Sequence, residues 1–309
     1  MKVKILVFIT IISLLLLGGC SHIQDSKIRT KVNQMPVAEQ PVKPTAAPAG
    51  NLTVHFIDVG QGDAILVQTP AGETMLIDGG GNDDEKAICT YLQNQKIKKI
   101  QVLVGTHPHE DHIGALDAVI NSFPVENVYL PKIMHNTQTF EQLLQAIKNK
   151  SLKIKTAQMG VRIPLRGLSC AILSPEVRGY EEINDYSAVI KIAYGKQSFL
   201  FCGDASEQAE SALLASGNDV KASVIKIGHH GSRSSSSYRF LQAVAPHYAV
   251  ISCGEDNPYG HPHPETLARL KKAGIELWRT DQMGTIIVTT DGAEKLDIYA
   301  NAEENGGGI

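Results

Sequence analysis

The 309-residue sequence predicts an α/β fold of two β-sheets faced by helices, one helical layer on each side. Three observations lead there. From Asn51 onward, about 250 residues alternate short apolar runs with helical stretches, enough chain to bury one continuous core. The apolar runs are of strand length and are bounded by Gly, Pro or Asp clusters. The second half of the chain repeats this grammar without visible sequence repetition.

Taken in order, residues 54–57, 64–68 and 74–77 read as strands separated by Gly-rich turns, and 84–95 as a polar helix. A strand follows at 102–105, then a helix near 114–121, a strand at 128–130 and a helix at 139–148. Residues 188–193 and 198–202 pair around the turn Tyr194-Gly195-Lys196, and Ser206 is placed to cap the next helix. Strand 223–227, helix 239–244 and strand 248–252 come next. Pro264 opens a further helix and Gly274 closes it, following the asymmetry that puts Pro first and Gly last. Strands at 276–279, 285–288 and 295–298 finish the fold, so the domain is expected over 51–300 with a disordered tail at 301–309.

The N-terminal region has a different character. Lys2 and Lys4 precede an apolar stretch over 5–17, then Gly18, Gly19 and Cys20. The apolar part is shorter than the roughly 20 residues that cross a bilayer, so residues 1–20 have a secretory signal layout. The ending Leu17-Gly18-Gly19-Cys20 resembles a bacterial lipobox. That resemblance implies that Cys20 is diacylated and tethers the protein to the membrane on its extracytoplasmic side. Residues 21–50 are rich in Pro, Ala, Gln and Lys and cannot offset the entropy of ordering, so a flexible tether is expected.

Removing the signal lowers the basic count from 29 to 27 against 32 acidic residues, a net charge of −5. General electrostatic adhesion to DNA is therefore disfavoured, and a polyanion must be held locally. Cys89, Cys170, Cys202 and Cys253 show no CxxC spacing, and three of them lie beside apolar runs. They read as buried small hydrophobes rather than disulfide partners.

His107, His109, Asp111 and His112 form an HxHxDH run directly after an apolar strand. A loop at a strand end can turn alternate side chains toward one point, and imidazoles with a carboxylate are donors that zinc and similar ions accept. Asp204 follows another apolar run, and His229 and His230 follow a third. A one-residue change at the strand exit exchanges the roles of these two histidines. Spacing alone leaves either of the two as the ligand.

In that order these motifs resemble the metallo-β-lactamase superfamily, which implies an αββα sandwich of two mixed sheets flanked by helices. Phe56 to Ala64, Thr106 to Gly114, Gly228 to Ser232 and Tyr259-Gly260-His261-Pro262 are more narrowly similar to the soluble domain of the ComEC competence family. The resemblance implies two divalent ions, zinc or manganese. His107 and His109 would serve the first; Asp111, His112 and His229 the second; Asp204 would bridge. A metal-activated hydroxide would then cleave a phosphodiester, with two ions roughly 3.5–4 Å apart steadying attacking and leaving oxygens.

Many superfamily members carry a third histidine on the first ion. Here that interval holds only His135, close to the first motif, and the expected place holds Asn184, Asp185 and Ser187. An oxygen-rich first site favouring manganese is one consequence. Asp78 ends a strand where the superfamily orients the His-rich loop with an acid, and it is expected behind the ligands. Asp58, Gln61 and Asp63 share a Gly-rich turn that could line the cleft, or that needs Gly and Asp for backbone reasons alone. Gln61, Ser232, Arg233 and, with His229 taken as the ligand, His230 are expected on the substrate, with Asp58 and Asp63 behind the ligands. His261 is a candidate proton donor to a leaving oxygen, and His263 a local capping residue.

The resulting expectation is an extracytoplasmic, lipid-anchored, dinuclear phosphodiesterase or nuclease that acts on DNA, with no protein partner deducible. Two competitors stand beside it. One is a phosphodiesterase on cell-wall phosphorylcholine or another small diester; the other is a non-catalytic, metal-dependent DNA-binding module in competence.

Overall fold

A computed structural model describes residues 50–176 and 179–301. The expected leader, Cys20, the tether and all of the tail but Asn301 lie outside the described residues.

Fourteen strands and eight α-helices follow one another among the described residues. The first half runs β1 (Leu52–Phe56), β2 (Ile65–Gln68), β3 (Thr74–Ile77), α1 (Glu85–Asn94), β4 (Ile100–Val104), α2 (Glu110–Ile113), α3 (Leu116–Ser122), β5 (Val125–Leu130), α4 (Gln138–Asn149) and β6 (Ile154–Thr156). The second half runs β7 (Ser169–Ser174), β8 (Val189–Tyr194), β9 (Gln197–Phe201), α5 (Glu207–Ala215), β10 (Val224–Lys226), α6 (Tyr238–Val244), β11 (Tyr248–Ile251), α7 (Pro264–Ala273), β12 (Glu276–Arg279), α8 (Thr280–Met283), β13 (Thr285–Thr290) and β14 (Asp297–Asn301).

The first sheet has the order β14-β13-β1-β2-β3-β4-β5-β6 and the second β12-β11-β10-β9-β8-β7. Both are mixed: β3 through β6 run parallel while β1, β2 and β3 alternate, and β9 through β12 run parallel while β7, β8 and β9 alternate. Two strands, β6 and β7, go beyond the sequence expectation. All three β6 residues are exposed at a sheet edge, and β7 pairs with β8 through a register shift, so neither has a clean apolar period.

Strand alternation makes three apolar layers. Leu52, Val54 and Phe56 of β1, Val102 and Val104 of β4, and Phe199 and Phe201 of β9 meet between the sheets. Leu66, Leu76 and Leu103 face outward onto α1, α3 and α4. Leu200, Ile225 and Ala249 face outward onto α5, α6 and α7. The outward His55 of β1 contacts Tyr91 Oη through Nδ1 at 2.8 Å. Helix starts follow sequence chemistry: Thr137, Ser206 and Ser237 accept N–H bonds at the first turns of α4, α5 and α6.

Candidate metal centre

The ends of β3, β4, β9, β10 and β11 release loops that meet at one edge of the sandwich, the usual place for a site in parallel sheets. Close backbone approach makes this possible. A Cβ on Gly114 would lie 2.2 Å from the Gly81 carbonyl carbon, and one on Gly62 would lie 2.5 Å from Asp111 O, so both positions need glycine. The β1–β2 turn is thereby pressed against the HxHxDH loop, where Asp63 N donates to Asp111 O at 3.1 Å.

Asp78 fixes that loop. Its Oδ1 accepts Thr106 N at 2.7 Å, and its Oδ2 accepts Thr106 Oγ1 at 2.7 Å and His112 Nδ1 at 2.8 Å. With Nδ1 committed to the acid, His112 Nε2 is the free ring atom, and it lies 3.2 Å from Asp204 Oδ1. His230 Nδ1 lies 3.0 Å from the Ser252 carbonyl, which can only accept, so Nδ1 is the donor there. His230 Nε2 then faces Asp111 Oδ2 at 3.2 Å and Asp204 Oδ1 at 3.6 Å.

Asp204 sits between two groups of donors. Its Oδ2 lies 3.6 Å from His107 Nε2 and 3.7 Å from His229 Nε2, while His107 Nε2 is 3.0 Å from His109 Nδ1. Asp204 is held from behind, its N–H donating to Ser187 Oγ at 3.0 Å. Ser187 follows the short 3-10 turn Ile183–Tyr186, the segment where the sequence resemblance led us to expect a third histidine. Asn184 in that turn lines the cleft. Asp185 instead accepts Ser206 N at 3.2 Å and Ser206 Oγ at 2.5 Å, which fixes the start of α5.

The acids and imidazoles set one another's protonation. Burial alone would lift the Asp204 carboxyl, but His112, His230 and His107 hold it well below the carboxylate range. Burial opposes charge on His112 and His230, yet Asp204 and the acids beyond it outweigh that: His112 is lifted well above its ordinary value and His230 to about 9. Burial lowers both His107 and His109.

A metal pair fits these residues. His112 Nε2, His230 Nε2 and Asp204 Oδ1 are buried and make no hydrogen bond, an expensive arrangement for polar atoms that have no further partner. The donors are three carboxylate oxygens and several imidazole nitrogens, a set suited to zinc and manganese chemistry. His107, His112 and Asp204 form one compact group of ligand atoms, and Asp111, His112 and His230 another.

Of the two adjacent histidines it is His230 that stands beside Asp111. His230, expected on substrate, is buried against Asp111 and His112, and His229, expected with those two, is at the cleft wall near Asp204 Oδ2. The reason lies in two backbone angles: both residues adopt left-handed φ, 49° and 52°, which the strand-exit argument did not include.

The remaining candidates divide. Gln61 and His261 line the cleft with Tyr259, whereas Ser232 and Arg233 are not among its lining residues. Ser232 O accepts Thr266 Oγ1, Arg233 N donates to His263 Nδ1, and the Arg233 guanidinium faces Glu265 at 3.4 Å. Asp58 accepts Gly60 N within its own turn and does not join the ligand groups. His135 stands beside His109, ring centroids 5.9 Å apart, with Nδ1 on Pro108 O at 3.3 Å. Cys89, Cys170, Cys202 and Cys253 are free thiols, all but Cys89 buried.

Lys226 is the functional neighbour that sequence reasoning missed. It is fully buried, and its Nζ lies 2.7 Å from both oxygens of Asp63. Burial alone would raise the Asp63 carboxyl, but Lys226 and then His230 bring it down to about 2. Asp63 Oδ1 in turn stands 3.4 Å from His230 Nδ1. The available signal was a lone cation inside the apolar run Val224-Ile225-Lys226-Ile227, a position where lysine is seldom buried without a paired charge.

Comparisons with known proteins agree with this geometry. Residues 57–255 match the profile of the "Metallo-beta-lactamase superfamily". ComE operon protein 3 of Bacillus subtilis (strain 168) is 32% identical over 250 residues, covering 75% of this chain and 32% of that protein. Competence protein ComA of Neisseria gonorrhoeae is 29% identical over 245 residues, covering 79% of this chain and 33% of that protein. The chain thus spans about a third of the length of these curated relatives. Among solved structures, the metallo-beta-lactamase fold protein YhfI from Bacillus subtilis superposes with a TM-score of 0.50 at 12% identity, over 74% of this chain and 95% of that one. CmlA, a diiron β-hydroxylase from Streptomyces venezuelae, gives 0.51 at 13% identity over 75% and 53%. At these identities the likeness concerns the fold.

Proposed function

The chain belongs to the metallo-beta-lactamase superfamily, and on that premise we propose that it is a dinuclear metal-dependent phosphodiesterase acting on nucleic acid, single strands first. The observation that carries this reading is the Asp204 carboxylate, whose two oxygens each face two imidazole nitrogens at the base of an open cleft of about 560 Å³. His107, His109, Asp111, His112, Asp204 and the His229/His230 pair would hold two ions, zinc or manganese. Bound there, such ions supply acidity to water and neutralise charge on phosphate oxygens.

The protein's own groups do the rest. Asp78 and the Ser252 carbonyl fix the ring orientation of His112 and His230, so that ligand atoms need little rearrangement. His261, with its buried Nδ1 unpartnered, stands 5.5 Å from His229 by ring centroid and offers a hydrogen bond to a leaving oxygen. Its loop is held in place by Asn257, whose Nδ2 donates to His261 O at 2.6 Å and whose Oδ1 accepts His261 N at 2.9 Å.

Tyr259 supports a single-stranded polymer. The residue is 62% exposed, and its ring lines the cleft and stacks on His261 at 5.6 Å with 22° between the planes. An exposed ring beside a scissile position is a platform for an unpaired base. The ComEC-like motifs and the match to Competence protein ComA support DNA as that polymer. The acidic net charge suits an enzyme that releases its product. Diacylation at Cys20 and an extracytoplasmic position belong to the same proposal, and mass spectrometry of the mature N-terminus tests them.

The decisive assay incubates the purified protein with manganese or zinc and single-stranded DNA, a choline phosphodiester or a chromogenic diester. DNA cleavage is the expected result. Turnover of the choline ester alone would move the function to the cell wall, and DNA binding without turnover would make the chain a binding module.

A further inference from the structure

We propose that the adjacent histidines are divided between the two metal positions: His230 serves the second, with Asp111 and His112, and His229 serves the first, with His107 and His109. His229 then supplies the nitrogen that a third histidine gives the first position in many superfamily members. The inference rests on the metal-binding reading above and not on the identity of the substrate.

Distances sort the donors. Asp204 Oδ1 faces His112 Nε2 at 3.2 Å and His230 Nε2 at 3.6 Å, whereas Oδ2 faces His107 Nε2 at 3.6 Å and His229 Nε2 at 3.7 Å. Ligand atoms on one tetrahedral ion with bonds of 2.0–2.2 Å stand roughly 3.3–3.6 Å apart, so each of these four contacts of Asp204 is close to that spacing. Asp111 Oδ2 adds to the Oδ1 side, at 3.2 Å from His230 Nε2. His109 Nδ1 adds to the Oδ2 side, at 3.0 Å from His107 Nε2.

The backbone explains how neighbours reach different oxygens. His229 (φ 49°, ψ 48°) and His230 (φ 52°, ψ 24°) are consecutive left-handed residues, a conformation in which histidine is strained. Their ring planes lie 72° apart with centroids separated by 6.1 Å. The turn is pinned on both sides, by His229 N donating to Gly203 O at 3.0 Å and Ser232 N donating to His229 O at 2.7 Å. Strain that the surroundings hold in place belongs to function more often than to packing. Burial of His230 accounts for one imidazole, but His229 keeps 27% of its side chain exposed and fills no core space.

The segment opposite is short of a nitrogen. Asn184 stands at the third-histidine segment, its Nδ2 3.5 Å from both ring nitrogens of His229 and its buried Oδ1 without a hydrogen bond. Ser234 Oγ lies 3.3 Å from His229 Nδ1 and can accept a hydrogen bond from its N–H, leaving Nε2 open toward Asp204.

The test is zinc stoichiometry and affinity by calorimetry and metal analysis on the full chain, using His229→Gly, because glycine adopts φ near 50° without penalty. The wild type is expected to bind two equivalents, and H229G to keep one while the other weakens at least tenfold. On an Asp111→Asn background, which weakens the second position, adding H229G should remove the remaining ion. On a His107→Ala background it should change affinity less than twofold. H229G retaining two ions at wild-type affinity, or the reverse pattern on the two backgrounds, overturns the proposal. Wild-type protein that binds no zinc would overturn the metal reading itself, a distinct result. Melting in chelator checks folding, and His229→Asn, which also tolerates left-handed φ, repeats the cycle should H229G unfold.

Discussion

Asp63 and Lys226, 163 residues apart, form an ion pair at 2.7 Å with both side chains almost fully buried. The pair ties the turn after β1 in one sheet to the end of β10 in the other, directly behind His230. A buried charge without its partner is far more costly than the intact pair is stabilising.

Lys226→Met should therefore lower stability by about 3–5 kcal/mol, measured by urea unfolding in chelator. Without the cation, burial pushes the Asp63 carboxyl upward, so the loss should be greater at pH 8 than at pH 5. Lys226→Met combined with Asp63→Leu should recover much of it; a double variant no more stable than the single would show that the charge itself is not the cause.

Asp111→Ala should abolish turnover and spare the fold. The Asp111 side chain is 30% exposed and its structural contact, the backbone carbonyl that accepts Asp63 N, survives the change. The loss of activity should exceed the ~100-fold typical of removing a partner behind a ligand, with a melting point near wild type. Chelation should silence the wild type, and zinc or manganese should restore it.

Tyr259→Ala should raise KM on single-stranded DNA about tenfold, the order of one lost base stack of ~1–3 kcal/mol, and leave hydrolysis of a small chromogenic diester unchanged. Equal loss on both substrates would assign Tyr259 to holding the His261 loop instead.

Glu210 predicts a pH dependence away from the metals. Its carboxyl is buried in α5, accepts Ser236 N and Ser237 N at the start of α6, and is pushed up by burial from 4.5 to about 7. Below pH 4.5 it is protonated whether the chain is folded or not, and its contribution is fully present. As pH rises toward 7 the unfolded chain releases the proton first, so stability falls across that window by on the order of 3 kcal/mol and then levels off. Glu210→Gln should flatten the curve between pH 5 and 8, read from urea midpoints.

The element order was legible because strand and helix periods are local, and the turn and cap residues Ser206, Pro264 and Gly274 mark their own boundaries. Edge strand β6 was not, since Ile154, Lys155 and Thr156 are all exposed and carry no alternation. Ser232 and Arg233 looked like substrate groups from their place beside the histidines, yet Ser232 Oγ meets Ser234 Oγ and the Arg233 guanidinium faces Glu265 of α7.

By itself the sequence determined the α/β order, the strand ends that carry His107, His109, Asp111, His112, Asp204 and the histidine pair, and hence a metal-binding chemistry, because donor type and strand position are written residue by residue. Only the tertiary structure decided which oxygen of Asp204 each histidine meets, and that Lys226 finds Asp63. Those outcomes depend on two backbone angles and on contacts between distant segments, which no local pattern encodes.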